Sequence, residues 1–349
     1  MRSMPAPYRL ADRVSLRELN TFKVDACAAC LARVPQAESL PDLLALERFA
    51  AAPLLVLGQG SNVLFADDFP GLVITLELTG IEVLVDDEHG TLLRVGAGVG
   101  WDELVTWTLE RGYAGLENLA LIPGLTGAAP IQNIGAYGVE IREFIAAVTA
   151  WDRTAQLFVT LTNAECAFDY RDSRFKRESG RWIITSLDLR LPRQRELELH
   201  YAGLRQELAA LGVGTPRAID VASAVRRLRR RKLPDPARIG NAGSFFKNPV
   251  VSRSVAEALR AGHAGLPWHP TPSTAEVKLS AAWIIEACGL KGYRVGDAAV
   301  STQHALVLVN HGRATGRELL AVAQQVIDTV AERFGIQLEP EPCIIRSGT

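Results

Sequence analysis

In the segment GNAGSFFKNP, residues 240–249, one hydroxyl lies among small residues and is followed by two adjacent aromatic side chains. Its glycines permit positive φ and a close approach of the backbone to a ligand, and its phenylalanines can anchor the turn in a core and exclude water. We therefore expect Ser244 to be a positioned, desolvated hydroxyl. The alternative is a turn serine that hydrogen-bonds to its own backbone.

Three glycine clusters follow predicted strands and are candidates for loops that cradle phosphate groups. The dinucleotide-binding spacing GxGxxG fails in two of them, because its third position is Val63 in one and Trp101 in the other. The third cluster, residues 122–138, also carries Gln132 and Asn133. Several such loops close together in the chain predict a backbone cradle for a long dinucleotide.

Composition narrows the possible classes of protein. The chain has 349 residues, a net charge of −1 and 48% hydrophobic residues, which is ordinary for a soluble protein of two or three domains. A charge near zero gives no global attraction to nucleic acid, and no run approaches the roughly 20 apolar residues that span a bilayer. We expect a cytoplasmic protein without membrane insertion.

Cysteine and histidine usage predicts neither a disulfide framework nor a metal site. The five cysteines are an odd number that fits reduced thiols, and the CxxC at Cys27 and Cys30 is not followed by a second one. The six histidines show no i, i+4 pairing. We therefore expect no bound metal.

The order of predicted elements indicates an α+β fold. Apolar or alternating runs predict strands through the first half, and helical spacing predicts a helix from Trp101 that stops at Gly112. A domain boundary is expected at residues 192–198, where apolar periodicity lapses. Beyond it, the pattern predicts a strand in ALVLVN and helices at residues 218–230, 251–261, 277–288 and 315–334.

Six ordered motifs carry a specific resemblance to a known family. They are LGQGSNVLF (57–65), GLENLALIPGLTGAAPIQNIGAYG (115–138), FDYRDSRFK (168–176), RKLPDP (231–236), GNAGSFFKNP (240–249) and LEPE (338–341). Together they resemble the UDP-N-acetylenolpyruvoylglucosamine reductases, also called UDP-N-acetylmuramate dehydrogenases. The extra segment 197–211 resembles the subtype in which a tyrosine-bearing loop covers the substrate.

The resemblance implies a fold and a reaction. An FAD-binding domain of the vanillyl-alcohol-oxidase (PCMH) type is implied at residues 20–192, in two subdomains of about 20–80 and 81–192. A C-terminal α/β substrate-binding domain is implied at residues 193–349. FAD is expected to be non-covalent, NADPH to donate the hydride, and UDP-N-acetylglucosamine enolpyruvate to be reduced for bacterial peptidoglycan. We expect a monomer whose partners are these small molecules, with no nucleic acid.

The resemblance also assigns catalytic groups. Hydride addition to the vinyl group leaves negative charge beside a carboxylate, which requires a cation and a proton donor. Arg171 matches the family arginine, Ser244 the proton donor, and Glu341 a second catalytic group that relays the proton or orients the carboxylate. The alternatives are a surface ion pair of Arg171 with Asp172 or a neighbouring residue, and a surface glutamate at position 341 beside Glu339.

Further positions match the family's ligand-binding residues. Tyr201 matches the substrate-covering tyrosine, and Lys232 matches a contact for the diphosphate, whereas the arginines before it are expected to form a solvated helix face. The implied cofactor-binding residues are Gly58, Gly60, Ser61, Asn62, Pro123, Gly124, Gly127, Gln132, Asn133, Gly135, Ala136 and Tyr137. The implied substrate-binding residues are Tyr170, Tyr201, Lys232, Asn248, Lys291 and His304.

Two departures from the family pattern and two rival functions accompany this interpretation. Ala128 and Ala129 stand where relatives often have serine or glycine, and Pro342-Cys343 replaces a segment that often carries an arginine. A flavin oxidase of the same fold is one rival, although the glycine loops contain no histidine for covalent attachment. A nucleic-acid binder that uses residues 226–232 is the other, although no aromatic stacking platform accompanies that tract.

Overall fold

The computed structural model describes residues 7–271 and 273–347. The α-helices are α1 Leu40–Leu44, α2 Trp101–Glu110, α3 Arg174–Arg177, α4 Leu204–Ala210, α5 Ala218–Lys232, α6 Arg253–Gly262, α7 Ala281–Ala287 and α8 Gly316–Phe334. Short 3-10 helices lie at Arg17–Leu19, Ala37–Ser39, Glu47–Phe49, Glu117–Leu119, Thr126–Ala128 and Ile141–Glu143. The strands are β1 Arg9–Ser15, β2 Cys27–Val34, β3 Leu54–Val56, β4 Val63–Phe65, β5 Phe69–Leu76, β6 Ile81–Asp86, β7 Gly90–Gly96, β8 Gly135–Ala136, β9 Val139–Glu140, β10 Ile145–Asp152, β11 Leu157–Thr162, β12 Trp182–Pro192, β13 Val250–Ser252, β14 Trp268–Pro270, β15 Glu276–Leu279, β16 Arg294–Val295, β17 Ala298–Val300, β18 Leu308–Asn310 and β19 Cys343–Ile345.

The first of two compact units comprises the described residues up to Val14, Ala28–Gln59 and Pro70–Arg231. It holds a four-stranded sheet of order β1-β2-β5-β3 and a five-stranded antiparallel sheet of order β11-β10-β12-β7-β6. On β12, Leu187 and Leu189 are fully buried because alternate residues of a strand face the same side. The alternating runs of the sequence therefore build the core of this sheet.

Helix α2 confirms the helix predicted from Trp101. Trp101, Leu104 and Val105 are buried at helical spacing in the same core as the five-stranded sheet. The Trp101 indole N–H donates to the Leu119 carbonyl oxygen at 2.9 Å, which satisfies the one polar atom that this large side chain buries. Gly112 follows the helix with a φ of +78°.

The second unit comprises Ser15–Cys27, Gly60–Phe69 and the described residues from Lys232 onward. Its sheets are small, with orders β13-β15-β14 and β16-β17-β18, and a parallel pair joins β4 to β19. Helix α8 begins with a capping box between Thr315 and Glu318 and ends at Gly335 with a φ of +64°. The helix predicted at residues 315–334 is therefore confirmed.

The structure corrects the helix predicted at residues 277–288. Residues Glu276–Leu279 form strand β15, in which Val277 and Leu279 are buried and alternate with more exposed positions. Helix α7 begins only at Ala281, where the Ser280 hydroxyl accepts the Trp283 N–H at 3.3 Å. The error arose because the apolar spacing of a short strand was merged with that of the helix behind it.

The two units divide at residues 231 and 232, further along the chain than the expected boundary at 192–198. Helices α4 and α5 place Leu204, Leu208 and Val225 in the same buried cluster as the five-stranded sheet. These helices therefore belong to the first unit by packing. The second unit also takes residues 60–69 from the first half of the chain.

The cysteines are free thiols throughout the part of the chain that the structure describes. Cys27 is exposed and Cys30 is buried, because residues three apart on strand β2 face opposite sides. The CxxC is thus not a paired site. Among the described helices, none combines the length and the apolar character that crossing a bilayer requires.

We expect Gly316→Ala to lower the free energy of unfolding by about 1–3 kcal/mol, because an added Cβ would overlap the Phe65 carbonyl oxygen of strand β4 and push helix α8 away. Gly262→Ala, at the end of helix α6, is the control, since nothing lies within 4 Å of a Cβ there. Urea unfolding of both variants measures the difference. Equal stability of the two variants would contradict this packing argument.

Candidate active site

A buried asparagine fixes the turn that precedes Ser244. Asn241, only 2% exposed, donates from Nδ2 to the carbonyl oxygens of Pro234 and Ile239 at 3.1 and 2.9 Å. Its Oδ1 accepts the Gly243 N–H at 3.0 Å. Gly243 has a φ of +69°, a region that favours glycine. The turn is therefore held by Asn241 and by the conformation of glycine.

The Ser244 hydroxyl takes no part in holding that turn. Ser244 is half-buried, and its backbone forms an isolated bridge with Val307. Within residues 7–271 and 273–347, its hydroxyl makes no hydrogen bond. The alternative of a turn serine bonded to its own backbone is therefore wrong, and this hydroxyl is available to a ligand.

Ser244 and Glu341 lie on neighbouring segments of the second unit. The Glu341 N–H donates to the Phe245 carbonyl oxygen at 2.8 Å, and Phe246 bridges Pro340. Phe245 and Phe246 are fully buried, and their rings meet edge to face with centroids 5.1 Å apart. The two aromatic residues anchor this segment in the core, as the sequence predicted.

The environment of Glu341 differs from that of its neighbour Glu339. Glu339 is exposed and forms an ion pair with Lys247 at 2.9 Å, whereas Glu341 is half-buried. The Glu341 carbonyl oxygen accepts the Asn62 side-chain N–H at 3.4 Å, and the Asn62 carbonyl oxygen accepts the Cys343 N–H at 2.9 Å. The second unit thus brings together Ser244, Glu341 and Asn62.

Arg171 occupies a strained backbone position in the first unit. Asp169 and Asp172 exchange backbone hydrogen bonds of 3.0 and 3.2 Å around Tyr170 and Arg171, which forms a tight turn. Arg171 has a φ of +53°, a region that costs energy for a residue with a Cβ. The Lys176 ammonium donates to the Arg171 carbonyl oxygen at 2.9 Å and helps to hold the turn.

Carbonyl oxygens position the Arg171 guanidinium. Its Nη2 donates to the Gly135 carbonyl oxygen at 2.6 Å, and its Nη1 donates to the Asn133 carbonyl oxygen at 3.4 Å. The Asp172 carboxylate forms an ion pair with Arg177. Two backbone carbonyl oxygens therefore help to orient the guanidinium.

Gly58 stands apart from the other glycines predicted to bind the cofactor. Its φ lies outside the left-handed region, and an added Cβ would meet only Leu125, at an ordinary contact distance of 3.7 Å. The described chain does not itself require glycine there, which fits the close approach of a ligand. The protein's own structure explains the other glycines. Gly60 and Gly124 have positive φ, and an added Cβ at Gly127 or Gly135 would clash with neighbouring protein atoms.

The side chains of the third glycine cluster serve mainly the protein. Asn133 is fully buried, and its Nδ2 donates to the Glu140 carboxylate and the Asp169 carbonyl oxygen, both at 2.9 Å. Its Oδ1 accepts the Arg142 N–H at 3.1 Å, so this side chain is committed to holding the protein itself. Among the other predicted cofactor residues, Pro123 is exposed, and Ser61, Gln132 and Ala136 are half-buried.

Gln59 is a positioning residue that the sequence analysis missed. Its Oε1 accepts the Gly124 N–H at 3.1 Å and so links the first glycine cluster to the third within the first unit. The available signal was its place between two glycines of a predicted phosphate loop. The two loops are therefore held in a fixed relation by a side chain as well as by their strands.

Of the three predicted ligand-binding tyrosines of the first unit, two pack against each other and the third lies beside Arg171. The Tyr201 ring, 43% exposed, packs edge to face on the Tyr137 ring with centroids 4.7 Å apart. Burial raises the pKa of Tyr137 to about 12, so it stays a neutral hydroxyl at pH 7. Tyr170 is half-buried, with the Arg171 guanidinium carbon 5.4 Å from its ring centroid.

His304 of the second unit is held as a neutral imidazole. Burial, followed by the positive charge of Lys232, lowers its pKa below the ordinary value, and Lys291 acts in the same direction. Its Nδ1 accepts the Leu306 N–H at 3.3 Å, so the neutral ring carries its hydrogen on Nε2. The Lys291 ammonium forms an ion pair with Glu286. His304 can thus donate one hydrogen bond to an anionic ligand.

Asn248 lies at the start of helix α7 and is partly committed to it. Its Oδ1 accepts the Ala281 N–H at 3.0 Å, which satisfies one of the unpaired donors at the helix start. The amide oxygen is thus occupied, and the side-chain NH2 group remains as a donor for a ligand acceptor.

The expectation of a solvated helix face before Lys232 holds for the exposed Arg227, Arg230 and Arg231 but is wrong for Arg226 and Arg229. Arg226 forms an ion pair with Asp102 at 2.9 Å, and the Arg229 Nε donates to the Leu121 carbonyl oxygen at 3.1 Å. Burial lowers the pKa of the Arg229 guanidinium. The sequence pattern could not reveal these contacts, because their acceptors lie about a hundred residues earlier in the chain.

Comparisons with known proteins cover nearly the whole chain. Residues 28–160 match the model of the FAD binding domain, and residues 235–345 match that of the C-terminal domain of UDP-N-acetylenolpyruvoylglucosamine reductase. The protein of that name from Xanthomonas campestris pv. campestris (strain B100) is 52% identical over 98% of this chain and 97% of its own length. The chain belongs to the UDP-N-acetylenolpyruvoylglucosamine reductase family.

Other members of the reductase family support the assignment. The relative from Xylella fastidiosa (strain M12) is 52% identical over 95% of this chain and 94% of its own length. The crystal structure of the reductase from Thermus caldophilus superposes with a TM-score of 0.66 at 27% identity, covering 97% of this chain and all of that one. The predicted α+β fold, with an FAD-binding domain and a reductase C-terminal domain, is confirmed.

The chain's own geometry fits FAD, the cofactor that membership in the reductase family assigns. Gly58 leaves room for a ligand against the backbone, and Gln59 holds the neighbouring loop at Gly124. Among the described residues, no group of three or more histidine, cysteine, aspartate or glutamate side chains is arranged to hold a metal ion.

Gly58→Ala is expected to raise the dissociation constant of FAD about tenfold or more, because the added methyl group would occupy space that the cofactor approaches. The thermal stability of the FAD-free protein should stay unchanged, since the protein itself accommodates the methyl group. Gly214→Ala, where nothing lies within 4 Å, is the control. Titration of flavin fluorescence measures affinity, and an unaltered value would argue against a cofactor contact at Gly58.

His304→Gln is expected to weaken the pH dependence of stability. Because burial lowers the pKa of folded His304, the unfolded chain binds this proton more readily, and stability falls as pH drops through about 6.5. Thermal unfolding at about pH 7.5 and about pH 5.5 should therefore show a smaller decrease in Tm for the variant. The exposed His311→Gln is the control. If Tm of the His304→Gln variant fell as much as that of the parent chain, the lowered pKa of His304 would be refuted.

Proposed function

We propose that this chain catalyses the NADPH-dependent, FAD-mediated reduction of UDP-N-acetylglucosamine enolpyruvate to UDP-N-acetylmuramate in peptidoglycan synthesis. Relatives named for this reductase activity are 52% identical over nearly the whole chain. The observation that carries the proposal is the Ser244 hydroxyl, which no described residue engages and which lies on the segment bonded to Glu341. A half-buried hydroxyl without a hydrogen bond to the described protein is suited to donate a proton to a substrate.

FAD, when bound, supplies hydride exchange with NADPH and with the substrate. The hydride adds to the distal vinyl carbon, so the electron pair of the double bond moves to the neighbouring carbon and its carboxylate. The chain must stabilise this charge and deliver one proton to the carbanion carbon. The product is the D-lactyl ether.

Arg171 is the group that stabilises the developing charge. A guanidinium stays protonated and can form two parallel hydrogen bonds to a planar carboxylate. The Gly135 and Asn133 carbonyl oxygens support its orientation, and the turn keeps it in a strained conformation that must be maintained by the surrounding structure. Pre-orientation of this kind is what electrostatic stabilisation of a transition state requires.

Ser244 delivers the proton, and Glu341 relays or shares it. An alcohol is a weak acid, but a carbanion is a far stronger base, so placement matters more than acidity. The backbone hydrogen bond between Phe245 and Glu341 supports this assignment, because it fixes the two segments side by side. Glu341 is half-buried, which suits a carboxyl group that must be protonated during part of the cycle.

The remaining predicted residues bind the UDP-sugar. Lys232, Lys291 and His304 present positive charge and an N–H donor that suit a diphosphate, and Asn248 presents donors that suit a base carbonyl. Tyr201 covers the bound sugar nucleotide, and Tyr170 lies beside Arg171.

The protein acts in the cytoplasm as a monomer. The cytoplasmic location is supported by the cysteines, which form no disulfide in the described structure, as is typical of a reducing compartment. The alternative of an oxygen-using flavin oxidase is not favoured, because the curated relatives of high identity are named reductases.

Ser244→Ala should leave the reduction of flavin by NADPH within about twofold of the parent rate, because that step needs no proton from Ser244. Oxidation of the reduced enzyme by the enolpyruvyl sugar should slow by about 10²–10⁴-fold, the range typical of a lost general acid. Anaerobic stopped-flow absorbance measures each half-reaction separately. The exposed Ser223→Ala is the matched control. Equal slowing of both half-reactions would show that Ser244 has another role.

A further inference from the structure

Glu207 is a buried carboxylate on helix α4, a few residues beyond Tyr201. Its side chain is only 4% exposed and forms ion pairs with Arg227 at 2.8 Å and with Arg231 at 2.7 Å. The two arginines are four residues apart on helix α5, so they lie on one face of it. We call these three residues the Glu207 cluster. A carboxylate at this depth is stable only while its partners are in place.

A second anchor lies before Tyr201 in the chain. Asn118 is fully buried, and its Nδ2 donates to the Glu198 carbonyl oxygen at 2.9 Å and to the Tyr137 carbonyl oxygen at 2.8 Å. Gly138 packs against the same glutamate, since an added Cβ would lie 2.8 Å from its Cγ. The chain is therefore fixed at residue 198 on one side and at residue 207 on the other.

Tyr201 lies between these two anchors. Its ring packs on Tyr137, yet 43% of the residue is exposed, so the aromatic contact alone covers only part of it. The Tyr201 carbonyl oxygen accepts the Leu204 N–H at 3.1 Å, and Gly203, with a φ of +89°, is the N-cap of helix α4. The position of Tyr201 is thus coupled directly to the start of the helix that Glu207 holds.

We propose that Glu207 is a positioning residue for Tyr201: the Glu207 cluster fastens helix α4 to helix α5 and so keeps Tyr201 in place to cover the substrate. This inference rests on the proposed function, because it takes the covered molecule to be the UDP-sugar. It also gives the basic tract 226–232 a structural purpose, since two of its arginines serve this one carboxylate.

The cluster responds differently to the loss of each partner. Glu207→Gln removes the charge at nearly constant volume, and the two arginines, whose side chains are 50% and 60% exposed, can return to water. The fold should therefore survive while helix α4 loosens. Arg227→Gln or Arg231→Gln alone leaves one ion pair, so each single change should have a smaller effect than Glu207→Gln.

Hydrogen exchange measured by mass spectrometry on the purified holoenzyme tests the anchor. In Glu207→Gln, amides of residues 199–210 should exchange about tenfold faster than in the parent, because local opening of helix α4 becomes more frequent. Arg230→Gln, a change at an exposed arginine of helix α5, should leave exchange unchanged. Parent-like exchange in Glu207→Gln would overturn the anchor.

Steady-state kinetics test the link to Tyr201. Glu207→Gln should raise KM for the UDP-sugar about tenfold, with kcat and the rate of flavin reduction by NADPH within about twofold of the parent. In a Tyr201→Ala background, Glu207→Gln should add nothing, because residues that act as one unit are not additive.

Two kinetic outcomes would overturn the positioning role. One is an unchanged KM despite faster exchange, and the other is a full further increase in KM in the Tyr201→Ala background. A parent enzyme that does not reduce the UDP-sugar would refute the proposed function instead. The exchange comparison would still decide whether Glu207 anchors helix α4, so the two failures are distinguishable.

Discussion

One backbone hydrogen bond, from the Glu341 N–H to the Phe245 carbonyl oxygen, sets the geometry on which the second unit depends. Both groups belong to the main chain, so the spacing of Ser244 and Glu341 does not rely on the rotamer of a long side chain. Phe245 and Phe246 are buried, and the Asn62 side chain donates to the Glu341 carbonyl oxygen. The catalytic candidates of this unit are therefore positioned by rigid, close-packed backbone.

Much of the fold follows from local sequence patterns. The alternating runs of the five-stranded sheet, the helix from Trp101 and the capped helix α8 were predictable, because each depends on residues within one element. Strand β15 was mistaken for a helix, since a four-residue strand carries too little periodicity. The boundary between the units was displaced because helices α4 and α5 pack on a core formed far earlier in the chain.

The candidate site was predictable as a set of motifs but not as a set of contacts. Motif matches named Ser244, Arg171 and Glu341, whereas their surroundings depend on groups distant in sequence. Arg171 and Arg229, for example, donate to backbone carbonyl oxygens. Every residue has such a group, so the sequence cannot show which one accepts the hydrogen bond. Most of the glycines predicted to contact the cofactor are explained instead by close packing or positive φ within the protein, which the sequence does not distinguish from a ligand contact.

The parallel pairing of β4 with β19 has a consequence for how the chain folds as it is made. The Ser347 hydroxyl and N–H both bond to the Asp67 carboxylate next to this pair, and these residues are 280 positions apart. At ribosomal rates of about 5–20 residues per second, strand β4 waits on the order of 15–60 s for its partner. Closing so large a loop is slow compared with local pairing. Strand β4 therefore completes its parallel pairing only when translation is about 280 residues further on.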